Sequence, residues 1–204
     1  VRTVKNPIRA ARYVMEKSGR VMFAGPDVDE MAKSAGLDIV PPEYFITPRR
    51  KEQLERTMAG EVNPMDRYGT VGAVAMDAQG NLAAATSTGG MNAKPPGRVG
   101  DSPVIGAGTY ADNASCAVSA TGDGEYFIRV SVARMICARV AMQGLSAEAA
   151  AGVTLDEVKA LGGTGGVIVL SRDGSVALSM NTEGMFRGRA DATGVREVGI
   201  YVDE

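Results

Sequence analysis

The spacing of apolar positions along this chain changes character at Thr70. Upstream of it the rhythm is helical. Residues 6–18 read as a helix, with Asn6 suited to the N-cap, Pro7 to the first helical position and Gly19 to the stop. Ile8, Ala11 and Met15, joined by Val14, make its predicted apolar face. Residues 20–24 are a short strand candidate, a second helix is expected over 27–35, and Pro41-Pro42 interrupts the pattern. Residues 47–68 are polar. A short helix is expected there first, and the last ten residues read as an exposed linker.

From Thr70 onward the rhythm is that of strands. Residues 70–77 and 82–88 form a hairpin pattern about Gln79-Gly80. With a two-residue turn, 78 faces 81 and Val71 faces Thr88, so the hairpin carries Thr86 and Thr88 back to the end where Thr70 starts. A Gly/Pro-rich loop (89–108) leads to a strand at 115–120, a long helix at about 125–142 and another helix from Ser146. Residues 162–166 are a glycine-rich turn. Residues 167–181 are a second hairpin with Asp173-Gly174 at its turn, and 198–202 a closing strand. Helices packed on antiparallel strands make an α+β fold.

Composition narrows the chemistry. The 204 residues are enough to bury a core, and a net charge of −2 with scattered Lys and Arg suggests no nucleic-acid or membrane partner. No apolar run approaches the roughly 20 residues of a membrane helix. The chain opens on Val1 without an apolar leader, so the expected location is the cytoplasm. Cys116 and Cys137 show no metal-type spacing and read, like the eleven Met, as core residues. There is no histidine, which excludes His-based triads and His-ligated zinc within this chain. Acyl transfer here needs another base, and a free N-terminal amine, with a pKa of about 7.7–8.0, is one.

Gly69-Thr70 fits that requirement. A threonine hydroxyl opens a strand directly after a residue without a side chain, as self-cleavage needs: the hydroxyl attacks the preceding carbonyl, and the freed amine then serves its own nucleophile. The plain alternative is a β-former beginning a strand. One hydroxyl of Thr86, Ser87 and Thr88 could orient Thr70; a polar strand end explains the three equally well. In Thr121-Gly122-Asp123-Gly124, between a strand and a helix, backbone N–H groups could stabilise an oxyanion, or the glycines could simply allow a tight turn. Arg98 and Asp101 could bind the carboxylate and ammonium of one amino acid, or be a solvated loop pair.

Taken together these runs resemble the plant-type L-asparaginases, or isoaspartyl peptidases. The matching stretches are Gly69-Thr70-Val-Gly-Ala-Val-Ala, Asp77-x-x-Gly80-Asn81 through Thr88-Gly-Gly, Pro96-Gly-Arg98-Val-Gly-Asp101-Ser-Pro, Thr121-Gly122-x-Gly124-Glu, Leu161-Gly-Gly-x-Gly-Gly and Asn181-Thr-Glu-Gly-Met. The resemblance implies an αββα sandwich of the N-terminal-nucleophile type. Residues 1–69 would be the end of an α-subunit-like region, and 70–204 a β-subunit-like catalytic region released by cleavage between Gly69 and Thr70. Thr70 would be the nucleophile and Thr88 would orient it. Arg98 and Asp101 would hold substrate carboxylate and amine, helped by the Gly124 carbonyl, and Thr121 and Gly122 would form the oxyanion hole.

The implied reaction is hydrolysis of the β-amide of asparagine or of β-aspartyl dipeptides, through an acyl-enzyme, in a homodimer of processed chains. A glycosylasparaginase-like amidase and a non-catalytic remnant are the other implied readings. No cofactor is implied. The family's structural sodium sits on a loop of an N-terminal stretch that is absent here, so a sandwich truncated on that side is expected.

Overall fold

The computed structural model describes residues 1–61 and 69–203, and the chain divides into two compact units. The first, Val1–Gly69 with Gly89–Gly97, carries α1 (Pro7–Lys17), α2 (Asp27–Ser34), a single 3₁₀ turn (Pro42–Phe45) and α3 (Pro48–Met58). The Thr47 hydroxyl caps α3 by accepting from Arg50 N. Most of the expected linker lies outside the described residues.

Two expectations fail in this unit. Helix α1 buries Ala10 and Val14, while Ile8 and Met15 face solvent. The small Ala10 allows close approach to Val4, Ala32 and Leu37, which form the unit's apolar cluster. Residues 20–24 form no strand, and Val21 is 72% exposed. A strand needs a neighbour to take its backbone N–H and C=O groups, and among the described residues none pairs with this segment.

The second unit, Thr70–Thr88 with Arg98–Glu204, is layered. A four-stranded antiparallel sheet has the order β3 (Thr109–Ala111), β4 (Cys116–Gly122), β5 (Gly165–Ser171), β6 (Val176–Met180), where β1 and β2 are Thr70–Met76 and Leu82–Thr88. Alternation along β4 sends Cys116, Val118 and Ala120 to one face. There they meet Phe127 of α4 (Gly124–Val130), Ile136 of α5 (Val132–Gln143) and Leu155 and Val158 of α6 (Ala147–Ala160) in the main core. The other face of β4 carries the β1–β2 hairpin, with Gly72 so close that a Cβ there would stand 2.1 Å from Ser119 Oγ. A separate hairpin, β7 (Gly184–Ala190) and β8 (Arg196–Tyr201), ends the chain.

The hairpin turns differ from expectation by one residue. Asp77 pairs with Asn81 around a three-residue loop, closed by the Asp77 carboxylate accepting from Gln79 N and Asn81 N, with Gly80 at φ +82°. Thr70, rather than Val71, therefore faces Thr88. The Asp173-Gly174 turn follows the same rule, with Ser171 opposite Ser175.

The long helix expected at 125–142 is two helices, broken at Ser131, which is left-handed at φ 55°. The break turns the first N–H groups of α5 toward the preceding loop, where Ala133 and Arg134 donate to the carbonyls of Ala107 and Gly106. Strand β7 escaped sequence reading because its Gly- and Arg-rich run lacks the usual strand composition. Both cysteines are fully buried as expected, but they are also joined: Cys116 and Cys137 form a disulfide between β4 and α5, with Cα atoms 5.3 Å apart.

Candidate active site

The hairpin sets the first pair of residues. Thr70 opens β1, Thr88 ends β2, and the Thr70 hydroxyl donates to Thr88 Oγ1 at 3.1 Å. The turn end of this hairpin is tied to the beginning of β4. Leu82 N donates to Asn113 Oδ1 at 2.7 Å, Asn113 Nδ2 donates to Asn81 Oδ1 at 3.0 Å, and Met76 Cε lies beside Gly174. The open end, with Thr70 and Thr88, consequently lies with the other end of β4, where Thr121 and Gly122 are. These two residues are the last of the strand, paired with Gly166 and Gly165, and not the turn expected from sequence.

Hydroxyls bind the two layers together. Thr86 Oγ1 lies 2.6 Å from Ser119 Oγ, accepts from Thr109 Oγ1 at 2.5 Å and reaches the Gly108 carbonyl at 3.2 Å. Thr109 also donates to the Ser102 carbonyl. The β1–β2 hairpin, the strand ending at Gly122 and the loop that follows Asp101 thus share one small polar cluster.

Asp101 is 6% exposed, and its Oδ2 is buried without a hydrogen-bond partner. Burial pushes its carboxyl above the usual carboxylate range, against the opposing pull of the Arg98 guanidinium. Two glycines make room for it. A Cβ on Gly108 would stand 2.6 Å from the Asp101 carbonyl carbon, and a Cβ on Gly124 2.8 Å from Asp101 Oδ1 and 3.2 Å from Arg98 Nη2. Gly124 is therefore a glycine for space, not for a positive φ. Arg98 makes a two-point ion pair with Glu125, Nε to Oε1 at 2.8 Å and Nη2 to Oε2 at 2.9 Å.

Of the residues singled out from sequence, Thr70, Thr88, Arg98, Asp101, Thr121, Gly122 and Gly124 all lie in the second unit. Gly69 ends the described stretch of the first, where Arg50 Nη2 would lie 2.6 Å from a Cβ on it. Sequence reading gave Glu125 and Thr109 no role and did not single out Ser119. The acidic residue directly after Gly124 was the one available signal for the first. Among the described residues no three His, Cys, Asp or Glu side chains gather to hold a metal.

A family model described as asparaginase matches residues 1–200. The chain belongs to this family. Asparaginase relatives include the isoaspartyl peptidase of Escherichia coli K12, 49% identical over 97% of this chain and 65% of the relative. That of Salmonella typhimurium is 50% identical over 97% and 67%. The isoaspartyl peptidase/L-asparaginase of Mus musculus is 46% identical over 85% of this chain and 55% of the relative. The chain thus spans about half to two thirds of the length of these relatives. The helices on antiparallel sheets are those of an asparaginase-family α+β fold. Among the described residues no helix is long and apolar enough to cross a membrane.

Proposed function

We propose that this chain is a self-cleaving threonine amidohydrolase that acts on the β-amide bonds of asparagine and β-aspartyl dipeptides. The observation that carries the reading is the Thr70–Thr88 hydroxyl pair at the end of β4 that bears Thr121-Gly122, with Gly69 directly before it. Thr70 Oγ attacks the Gly69 carbonyl carbon, the C–N bond breaks, and water then cleaves the resulting ester. The products are a Gly69 carboxylate and a free Thr70 amine, a base suited to neutral pH in a chain without histidine.

In turnover that amine takes the Thr70 hydroxyl proton, and Oγ attacks the substrate's β-carbonyl. Thr121 and Gly122 stabilise the oxyanion, and the proton passes to the departing ammonia or amine. Water releases aspartate from Thr70 by the same route in reverse. Arg98 takes the substrate's α-carboxylate, and Asp101 its α-ammonium together with the Gly124 carbonyl. The unpartnered, buried Asp101 oxygen supports that assignment, because its carboxylate is costly until a cation arrives. The proposal extends to a homodimer of cleaved chains in the cytoplasm, which light scattering and cell fractionation check.

The test is the intact mass after incubation, with ammonia release from asparagine and β-aspartyl-leucine, beside Thr70→Ala. Two fragments meeting at Gly69-Thr70 and turnover, both lost in the variant, support the reading. Folded protein that stays uncut and inert leaves the second reading, a family member that does not catalyse as this chain alone; its spanning only 65% of the Escherichia coli relative's length favours that alternative.

A further inference from the structure

Glu125 has no part in the chemistry above, yet it makes the closest polar contact to the substrate-carboxylate candidate. Both of its oxygens engage Arg98, at 2.8 and 2.9 Å, in a parallel two-point fork. The two partners differ in exposure: the Arg98 side chain is 15% exposed and that of Glu125 55%. Glu125 therefore sits outside and holds from behind a cation that is mostly enclosed. It follows Gly124 in the first turn of α4, so one short backbone segment carries the Arg98 anchor and the gap over Asp101.

Charge and donor counts add to the geometry. A guanidinium has five N–H donors, and the fork uses the one on Nε and one on Nη2, which leaves three. A second carboxylate can therefore bind Arg98 while Glu125 remains in place. The Arg98–Glu125 pair is neutral in sum, and the buried Asp101 Oδ2 beside it has no hydrogen-bond partner. Such a site favours a ligand that brings its own ammonium as well as a carboxylate.

We propose that Glu125 is a positioning residue of the site: it fixes the plane of the Arg98 guanidinium so that the free N–H donors meet an α-carboxylate. The proposal rests on the amidohydrolase reading. It makes the grip on the α-carboxylate depend on Glu125, whatever is attached to the β-amide.

The experiment is steady-state kinetics of cleaved protein with two probes, L-asparagine and L-asparagine amide, whose α-group is a neutral carboxamide. Glu125→Gln keeps the size but loses one acceptor and the charge. On asparagine its KM is expected to rise about tenfold with kcat within about twofold, because a ground-state carboxylate contact is what weakens. On the amide, which has no carboxylate for Arg98 to grip, the variant and the parent should match. Glu125→Asp, which restores the charge, should recover part of the loss. In an Arg98→Ala background the Glu125→Gln change should add nothing, since the two act as one unit.

Equal KM values for parent and Glu125→Gln on asparagine would overturn the proposal. So would an equal loss on both probes, or a loss that persists without Arg98, as either marks a general structural effect. Melting of each variant separates misfolding from lost grip, and Glu125→Asp serves as the test if Glu125→Gln does not fold. Parent protein inert on asparagine removes the amidohydrolase reading and the proposal with it; an active parent with an indifferent Glu125 removes the proposal alone.

Discussion

Gly165→Ala is the sharpest mechanical test of how the end of β4 is held. Gly165 faces Gly122 across the β4–β5 ladder, and neither backbone can withdraw. A Cβ at 165 would stand 2.3 Å from the Thr121 carbonyl oxygen, 2.6 Å from Phe127 Cζ and 2.8 Å from Gly122 Cα. Ordinary carbon contacts lie at about 3.5–4.0 Å, so the methyl group overlaps its neighbours by roughly 1 Å on three sides. Two of these neighbours are backbone, and Phe127 is fully buried. Asn181 pins the same residue from the other side, its Oδ1 accepting from Gly165 N at 2.7 Å and its own N donating to the Gly165 carbonyl. With no side chain free to swing away, the cost belongs at the top of the overpacking range, about 3 kcal/mol. For a chain of this size that is a fall in melting temperature of roughly 6–12 °C.

Gly152→Ala is the internal control. Gly152 lies within α6 and has nothing within 4 Å of a Cβ, so the same methyl group should raise stability by about 0.5–1 kcal/mol. Calorimetry of both variants beside the parent reads the contrast. Cleavage at Gly69-Thr70 should fail in the first and persist in the second, since only the first displaces Thr121. A Gly165→Ala protein that melts within about 2 °C of the parent and still cleaves itself would refute the reasoning.

Two further outcomes follow from burial. Asp101→Asn should stabilise the ligand-free protein at neutral pH while abolishing turnover. A carboxyl whose folded pKa is raised by burial contributes stability that is fully present below its unfolded pKa, about 3.9, and lost as pH rises through the folded value. The advantage of the variant should therefore grow upward from about pH 4; an advantage that is flat or shrinks with pH sinks the argument. The Cys116–Cys137 pair should resist alkylation in denatured, unreduced protein, and its reduction should cost about 3 kcal/mol for a loop of 21 residues. Cytosol holds most such pairs as thiols, so protein trapped from cells with both cysteines alkylated favours the cytoplasm.

What could be read from sequence followed local rules. The Asn6-Pro7 helix start, the two Gly-bearing turns and the helix start at Ser146 each depend on residues close in the chain. Thr70 and Thr88 were legible as candidates for the same reason, at the open end of one hairpin, whereas Thr121 and Gly122 read as a turn and are the last residues of β4. What sequence missed depends on partners far along the chain. Ile8 and Met15 match a helical stripe as well as Ala10 and Val14 do, and only the position of Ala32 decides between them. Residues 20–24 have strand composition but no neighbouring strand. Ser131 breaks a helix because the 106–107 carbonyls need donors 26 or more residues away. Glu125 was overlooked because its partner lies 27 residues upstream.

The Asp77–Asn81 turn works as a gauge for the site at the far end of its hairpin. Seven residues of strand at about 3.3 Å each put it some 23 Å from Thr70. Slipping β2 by one position along β1 would present Ser87 instead of Thr88 to the Thr70 hydroxyl and turn the oriented side chain to the opposite face. The carboxylate of Asp77, holding Gln79 and Asn81 by their backbone, thus sets an alignment at the opposite end of the hairpin. Loop grafting or shuffling at this remote surface would disturb the Thr70–Thr88 pair without touching either residue.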